Sequence, residues 1–541
     1  MLQRRRSAIS FAVALALVAS VAHVGSSASA SDLSESQGFR KAVTVAGIRE
    51  HQAAFQAISD ANGGNRVAGS AAYAESRDYV VARMEAAGYD VRLHSFDFVF
   101  NADATPPTLQ QVSPAATTYV DGVDFSSMTF SGSIPSTTAP VWSVDLVLPQ
   151  GPPPPGTTSG CEAADFAGMP AGSIALMQRG TCSFGAKADN ARAAGAVASI
   201  IFNDGGNAGR VGIINGTLGP GTHGPAVGTT LAVGQDLANG VTSGDTGSVT
   251  TIRIDRVNET RTTHNVIAET LDGDPNAVVV VGAHLDSVPR GPGINDNGSG
   301  SAAILEIAET YAAQGREPRN KLRFMWFSAE EFGLLGSRAY VDSLSAAERD
   351  QIMAMINFDM VGSPNYVRFV YDGDNSAFPV GPGAAKGPAG SAYLESMFVD
   401  YFNSVGLASD PTAFSGRSDY GPFIAAGVDI PAGGLFTGAE GVKTAAQANT
   451  YGGLAGVPYD PCYHLACDTF TGSGSGAGAT APGLGVKALD EMSDAAAHVV
   501  LTLSRSKVDV RQTAAVAALR TSGSLVVDAP APEASETPDE R

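Results

Sequence analysis

Five side chains that bind divalent metals through nitrogen or oxygen, His284, Asp296, Glu331, Asp359 and His464, fall in four short segments of this 541-residue chain. The segments read VVVVGAHLDSVPRGPGINDNGSGSAAILEIAE, LRFMWFSAEEFGLLGSRAYV, MINFDMVGSPN and DPCYHLACD. Two imidazoles and three carboxylates with no thiolate suit zinc better than magnesium or calcium, which rarely recruit histidine. That is one ligand set too large for a single tetrahedral catalytic zinc with an open position. It matches two zincs that share a bridging carboxylate and a bridging water, about 3.5–4 Å apart, which is hydrolytic chemistry. Taken singly, each residue is equally a strand-end acid or a core histidine; the set of five is what carries the reading.

The flanking patterns show what must position them. Val278 to Val281 is a β-branched run bounded by Gly282, so it reads as a buried parallel strand with His284 just past its end. Lys321 to Ser328 and Met353 to Phe358 read the same way, with Glu330 and Glu331 after the first and Asp359 after the second. Open α/β sheets bind ligands outside the carboxyl ends of their strands, so three strand ends converge on one crevice. Leu334, Leu335 and Tyr340 follow a helical pattern, and Gly298, Ser299 and Gly300 lead into a helix over Ala302 to Ala313. No lysine follows those glycines, which weakens a phosphate-loop reading. Asp286, two residues after His284, is placed to accept a hydrogen bond from the second imidazole nitrogen.

These segments, with GRSDYGPF, GGLFTGA and KTAAQA, resemble the secreted di-zinc aminopeptidase family of bacterial leucine aminopeptidases, streptomycete type, in peptidase clan MH, over residues 262 to 505. The resemblance implies an α/β zinc-exopeptidase fold, a mixed and largely parallel sheet flanked by helices. It implies His284 and Asp359 on one zinc, Glu331 and His464 on the other, and Asp296 bridging. By the same resemblance Glu330 is general base and acid, Tyr463 donates to the oxyanion, and Arg417 lies near the substrate amine. The competing reading is a structural salt bridge for Arg417 and packing for Tyr463. The family often has histidine where this chain has Tyr420. Further implications are a cis Asp296–Asn297 peptide, a Cys462–Cys467 disulfide around His464, and a possible calcium ion at Asp490 and Asp494. The implied substrate is a peptide with a free N-terminus and a large apolar first residue such as leucine.

Cys161 and Cys182 remain to form a second bridge; zinc binding by thiols is the competing reading, and no pair of C-x-x-C motifs supports it. An even cysteine number fits an oxidising compartment. Arg4, Arg5 and Arg6, an apolar run from Ile9 to Val24 and Ala28-Ser29-Ala30 make residues 1–30 a secretory signal peptide, so the protein is expected outside the cell. No later stretch is apolar for long enough to anchor in a membrane. A formal net charge of −20 argues against nucleic acid as a partner. A monomer is expected.

The chain is too long for one core. Residues 31–106 read as the start of the peptidase domain and 262–506 as its catalytic part. Between them, 107–261 is β-rich and broken by Gly and Pro, including the Pro-rich run 151–156. There GSIALMQRGTCSFGAKADNARAAGAVASIIFND resembles a protease-associated (PA) domain, inserted as a substrate gate or a passive spacer. His223 reads as an exposed loop histidine, Ala488 to Leu503 as a closing helix, and 507–541 as a disordered, Pro-rich and acidic tail. Rival readings are a carboxypeptidase, which needs a basic cluster for the substrate carboxylate; a glutaminyl cyclase, which works with one zinc; and a binding protein, whose relatives have lost metal ligands.

Overall fold

A computed structural model describes residues 32–148, 157–206, 210–219, 221–472 and 484–513. The expected signal peptide, the Pro-rich run 151–156 and the tail beyond 513 lie outside the described residues.

Helices α1 (Val45–Ala61) and α2 (Ala71–Ala86) start the catalytic body. Each opens on a hydroxyl cap: Thr44 Oγ1 accepts from Gly47 N at 3.0 Å and Ser70 Oγ from Tyr73 N at 3.1 Å, satisfying amides that the first turn leaves unpaired. Strand β1 (Asp90–Ser113) leads into the insert, built from β2 (Ile134–Ser143), β3 (Ile174–Gln178), α3 (Phe184–Ala193), β4 (Ala198–Phe202) and β5 (Ala226–Thr229). Strand β6 (Gly244–Glu269) returns to the body. There follow β7 (Asp274–His284), α4 (Gly298–Ala313), β8 (Asn320–Phe327), α5 (Leu335–Ser343), β9 (Ile352–Phe358), α6 (Ser391–Ser404), β10 (Ala432–Phe436) and α7 (Leu484–Arg505).

Among the described residues all strands join one mixed 14-stranded sheet. At its centre β10, β9, β7 and β8 lie side by side and parallel, and β6 closes antiparallel on β8. The β-branched run explains the layering. Val279 and Val281 pack with Ile304, Leu305 and Phe55 on one face, whereas Val278 and Val280 pack with Met325 and Tyr340 on the other. Side chains that alternate between two apolar layers need helices on both faces, and each fully buried valine contributes roughly 1.5–3 kcal/mol.

Strands β8 and β9 differ from the expected spans by no more than one residue at either end, whereas β7 starts four residues before Val278 and runs through His284, and α4 starts at Gly298, four residues before Ala302. The insert is joined by a ribbon. Strands β1 and β6 pair from Asp90↔Glu269 to Ser113↔Val249, so residues 107 and 261 both lie inside strands. Within the insert β2, β3, β4 and β5 are parallel neighbours over their own core of Val141, Ile174, Leu176, Ile200, Phe202 and Val227. His223 is not an exposed loop residue: its Nδ1 meets Asp189 Oδ1 at 3.1 Å and its Nε2 meets Gly219 O at 3.0 Å. The start of the expected tail belongs to the folded body, because Val510 is fully buried in the main core.

Candidate metal centre

Four chain reversals aim the candidate ligands at one point. His284 ends β7; Glu330 and Glu331 follow β8 through Ala329 at φ +54°; Asp359 follows β9 just before Met360 at φ +46°; and His464 itself sits at φ +58°. Left-handed backbone at non-glycine residues is uncommon and turns each chain sharply across the sheet end. Asp296 lies in the loop before α4, and the Asp296–Asn297 peptide is cis. Asn297 caps α4, its Oδ1 accepting from Gly300 N at 2.9 Å, while its Nδ2 donates to Phe358 O at 2.9 Å. A Cβ on Gly300 would stand 2.2 Å from Phe358 O, so only glycine lets α4 approach β9 this closely.

The five donors form two groups that share one residue. His284 Nε2 lies 3.3 Å from Asp296 Oδ1 and 3.4 Å from Asp359 Oδ1. His464 Nε2 lies 3.2 Å from Asp296 Oδ2 and 3.1 Å from Glu331 Oε2. Two ligands about 2.0–2.1 Å from a tetrahedral zinc are separated by roughly 3.3–3.4 Å, so the spacings fit. Asp359 Oδ1 and Glu331 Oε1 are buried without a hydrogen-bond partner among the described residues, which marks both as donors to something else. The electrostatics agree. Burial alone would push both imidazoles down, but Asp359 and Glu330 around His284, and Glu331 and Asp296 around His464, hold them well above the ordinary value. Burial would raise Asp296, and hydrogen bonds from both histidines hold it far below the usual carboxylate range instead. Such a concentration of negative charge is neutralised either by protons on the imidazoles or by metal ions.

Asp286 departs from expectation. His284 Nδ1 meets its main-chain oxygen at 3.1 Å, and the carboxylate stands 3.8 Å away. The carboxylate instead accepts from Glu330 N at 3.2 Å and Glu331 N at 3.4 Å, so it fixes the turn bearing both glutamates. Burial pushes its carboxyl up to about 7. Arg417 donates to Tyr463 Oη at 3.1 Å and pairs with Glu440 at 2.7 Å. The Tyr463 ring stacks on His464, centroids 3.8 Å apart. Tyr420 is buried against Tyr371 and Phe414, at 4.6 and 4.9 Å between centroids. Both disulfides are present, Cys161–Cys182 and Cys462–Cys467. Asp490 and Asp494 fall into no cluster of three ligand side chains among the described residues, and Asp494 meets Arg40 at 3.6 Å.

Several supports were not foreseen. Asp468 accepts from Asn295 N at 2.7 Å and Asp296 N at 2.9 Å, and Asp460 accepts from Asn295 Nδ2 at 2.7 Å. Burial, then the neighbouring Asp460, pushes Asp468 up to about 8. Ser418 donates to Asp359 Oδ2 at 2.5 Å. Arg66 is fully buried and donates to Pro292 O at 2.8 Å and Gly293 O at 2.7 Å, bracing the loop before Asp296. The sequence offered one signal: Asp460 and Asp468 bracket the DPCYHLACD segment.

Paired donor groups sharing a carboxylate at parallel strand ends are the chemistry of a metal-dependent hydrolase. The comparisons are more specific. Residues 265–498 match Peptidase family M28, and residues 143–237 match the PA domain. The chain is 44% identical over 479 residues to an aminopeptidase of Pseudomonas aeruginosa, covering 87% of this chain and 83% of that protein. It is 42% identical over 409 residues to leucine aminopeptidase 2 of Arthroderma otae, covering 75% of each. An aminopeptidase from Aneurinibacillus sp. strain AM-1 has a similar structure, with a TM-score of 0.62 at 26% identity over 88% of this chain and 98% of that one. A zinc aminopeptidase from Bacillus subtilis gives 0.58 at 25% identity over 86% and 97%. With such identity and coverage, the chain belongs to peptidase family M28 and carries a PA domain.

Proposed function

We propose that this zinc-dependent aminopeptidase holds two zinc ions in the strand-end site and removes large apolar residues such as leucine from peptides outside the cell. The observation that carries the reading is Asp296, whose two carboxylate oxygens face different histidines at 3.3 and 3.2 Å. His284 and Asp359 would hold one ion and His464 and Glu331 the other, with Asp296 shared. Zinc bound there supplies a Lewis acid for the scissile carbonyl and acidifies water.

The remaining work falls to the chain's own side chains. Glu330 Oε2 lies 4.0 Å from His284 Nε2, next to the candidate ligands. Its carboxylate takes a proton from water as the water oxygen bonds to the carbonyl carbon, and gives that proton to the amide nitrogen as the C–N bond breaks. The Tyr463 hydroxyl, which burial keeps protonated, donates to the carbonyl oxygen as charge develops, and Arg417 orients it. The surrounding carboxylates favour a free α-ammonium, which accounts for attack at the first residue. Leucine is supported by the relatives named leucine aminopeptidase. Export is supported by the leader-like residues 1–30 and by two disulfides. No helix among the described residues is long and apolar enough to cross a membrane. A calcium ion at Asp490 and Asp494 would have to compete with Arg40 for Asp494.

The test is release of leucine from a leucine-initiated peptide and from matched N-acetylated and C-amidated forms, before and after chelation and zinc restoration. Cleavage is expected of the free and amidated forms only, and zinc restores it. Loss on amidation would point to a carboxypeptidase, and no cleavage of any form to a cyclase or a binding protein. A second expectation concerns the outer support. Asp468→Ala leaves the Asn295 and Asp296 amides without their acceptor, and zinc affinity should fall by about 10–100-fold. Excess zinc should rescue turnover in this variant, as read by activity against free zinc concentration.

A further inference from the structure

Away from the strand ends, α1 and α4 bring together a second set of ligand-type side chains. His51 of α1 and Glu306 and Glu309 of α4 each present a donor atom, all within 4.8 Å of one another. Glu306 and Glu309 are three residues apart and share a helix face, against which α1 packs. His51 is 1% exposed. Its Nδ1 meets the Tyr79 hydroxyl at 2.8 Å, whereas its Nε2 is buried with no hydrogen-bond partner among the described residues. That nitrogen faces Glu309 Oε2 at 3.6 Å and Glu306 Oε2 at 3.8 Å, beyond hydrogen-bond distance of either.

The protonation state sharpens the picture. Burial pushes His51 down to about 4, with the charge of Arg83 adding to that and Glu309 and Glu50 opposing it. When Nδ1 donates to the Tyr79 hydroxyl, Nε2 carries a lone pair. In that tautomer the lone pair faces two carboxylates, an arrangement that a cation between them would satisfy. Ligands about 2.0–2.1 Å from zinc stand roughly 3.3–3.4 Å apart, so His51 Nε2 needs to close on each carboxylate by only a few tenths of an ångström.

We propose that His51, Glu306 and Glu309 form a further divalent transition-metal site, with zinc favoured by the donor set, which ties α1 to α4 outside the strand-end centre. The imidazole selects against calcium and magnesium. Thr44 N and Oγ1 hold Glu306 Oε1 at 3.1 and 3.2 Å, which orients that carboxylate as an outer partner orients a ligand. Arg83 is the built-in competitor: its Nε and Nη2 meet the two oxygens of Glu309 at 2.5 and 2.6 Å, and Glu50 takes its Nη1 at 3.2 Å. The helix α4 starts directly after the cis Asp296–Asn297 peptide, so an ion here braces the helix that follows the shared carboxylate.

The experiment compares the full chain with His51→Gln and Glu306→Gln after equilibrium dialysis against zinc chloride, with bound metal counted by mass spectrometry. Each variant should hold one zinc fewer per chain than the unsubstituted protein, with hydrolysis of leucine peptides unchanged. Equal zinc in all three overturns the proposal, whatever the occupancy of the strand-end centre. Should a variant not fold, crystals of the unsubstituted protein grown in zinc chloride decide it. An anomalous peak at His51 Nε2 supports the site, and peaks at the strand ends with none at His51 overturn it.

Discussion

Glu330→Gln is expected to lower kcat by about 10²–10⁴-fold, the contribution of a positioned general acid–base, while bound zinc stays the same. Glutamine keeps the size and shape of the side chain but cannot take a proton from water at neutral pH. The turn that carries it should persist, because Asp286 holds the main-chain amides of residues 330 and 331, not the side chain. KM should change far less than kcat, since the lost interaction belongs to the transition state. One alternative is specific to this geometry. His284, Glu330 and Asp359 also present donors within 4.8 Å of one another, so Glu330 is itself close enough to be a ligand. Zinc counting separates the two roles. Loss of an ion together with activity would make Glu330 a ligand, and activity retained to within a few-fold would remove it from proton transfer.

The parts of this molecule that a sequence makes legible are those set by local pattern. Val278 to Val281 has no polar alternation, so burial on both faces and the parallel centre of the sheet followed from it, as did the placement of acids and histidine at strand ends. Long-range features were harder to see. Asp460 and Asp468 are buried carboxyls, and burying a carboxylate is costly enough that sequence reasoning assigns such residues to exposed loops. Here the main-chain amides of residues 295 and 296 compensate Asp468, and the Asn295 side-chain amide compensates Asp460, and nothing local announces that pairing. Pro106 and Pro107 made residue 107 look like the end of a peptidase segment. The strand continues through them because register shifts between Asp103 and Thr108 accommodate prolines that cannot donate to the ladder. Asp286 illustrates the same limit at short range: spacing brought it near His284, but only the fold shows its main-chain oxygen, and not its carboxylate, at hydrogen-bond distance. His51 stands on α1, far along the chain from Glu306 and Glu309 on α4, and nothing local links it to them.

The most damaging single change should be Asp296→Asn. Among the candidate ligands only Asp296 comes within 4 Å of both His284 and His464, at 3.3 and 3.2 Å. An amide preserves the volume and leaves the main-chain bond from Asp296 N to Asp468 in place, so the loop should hold its course. One of the two donor atoms, however, becomes an NH₂ group with no lone pair for a metal, and one negative charge disappears from between two imidazoles. Both proposed ions would lose a partner at once. Zinc affinity should therefore fall by more than the roughly 10–100-fold expected on removing an outer support, and the two binding steps should weaken together. Activity should drop to background and stay there in excess zinc, in contrast to Asp468→Ala, which excess zinc should rescue. Calorimetric zinc titration of the apoprotein alongside turnover at saturating zinc reads both quantities. A variant that still bound two ions nearly as tightly as the unsubstituted protein would show that Asp296 is not shared, and the two donor groups would then have to be read as independent mononuclear sites.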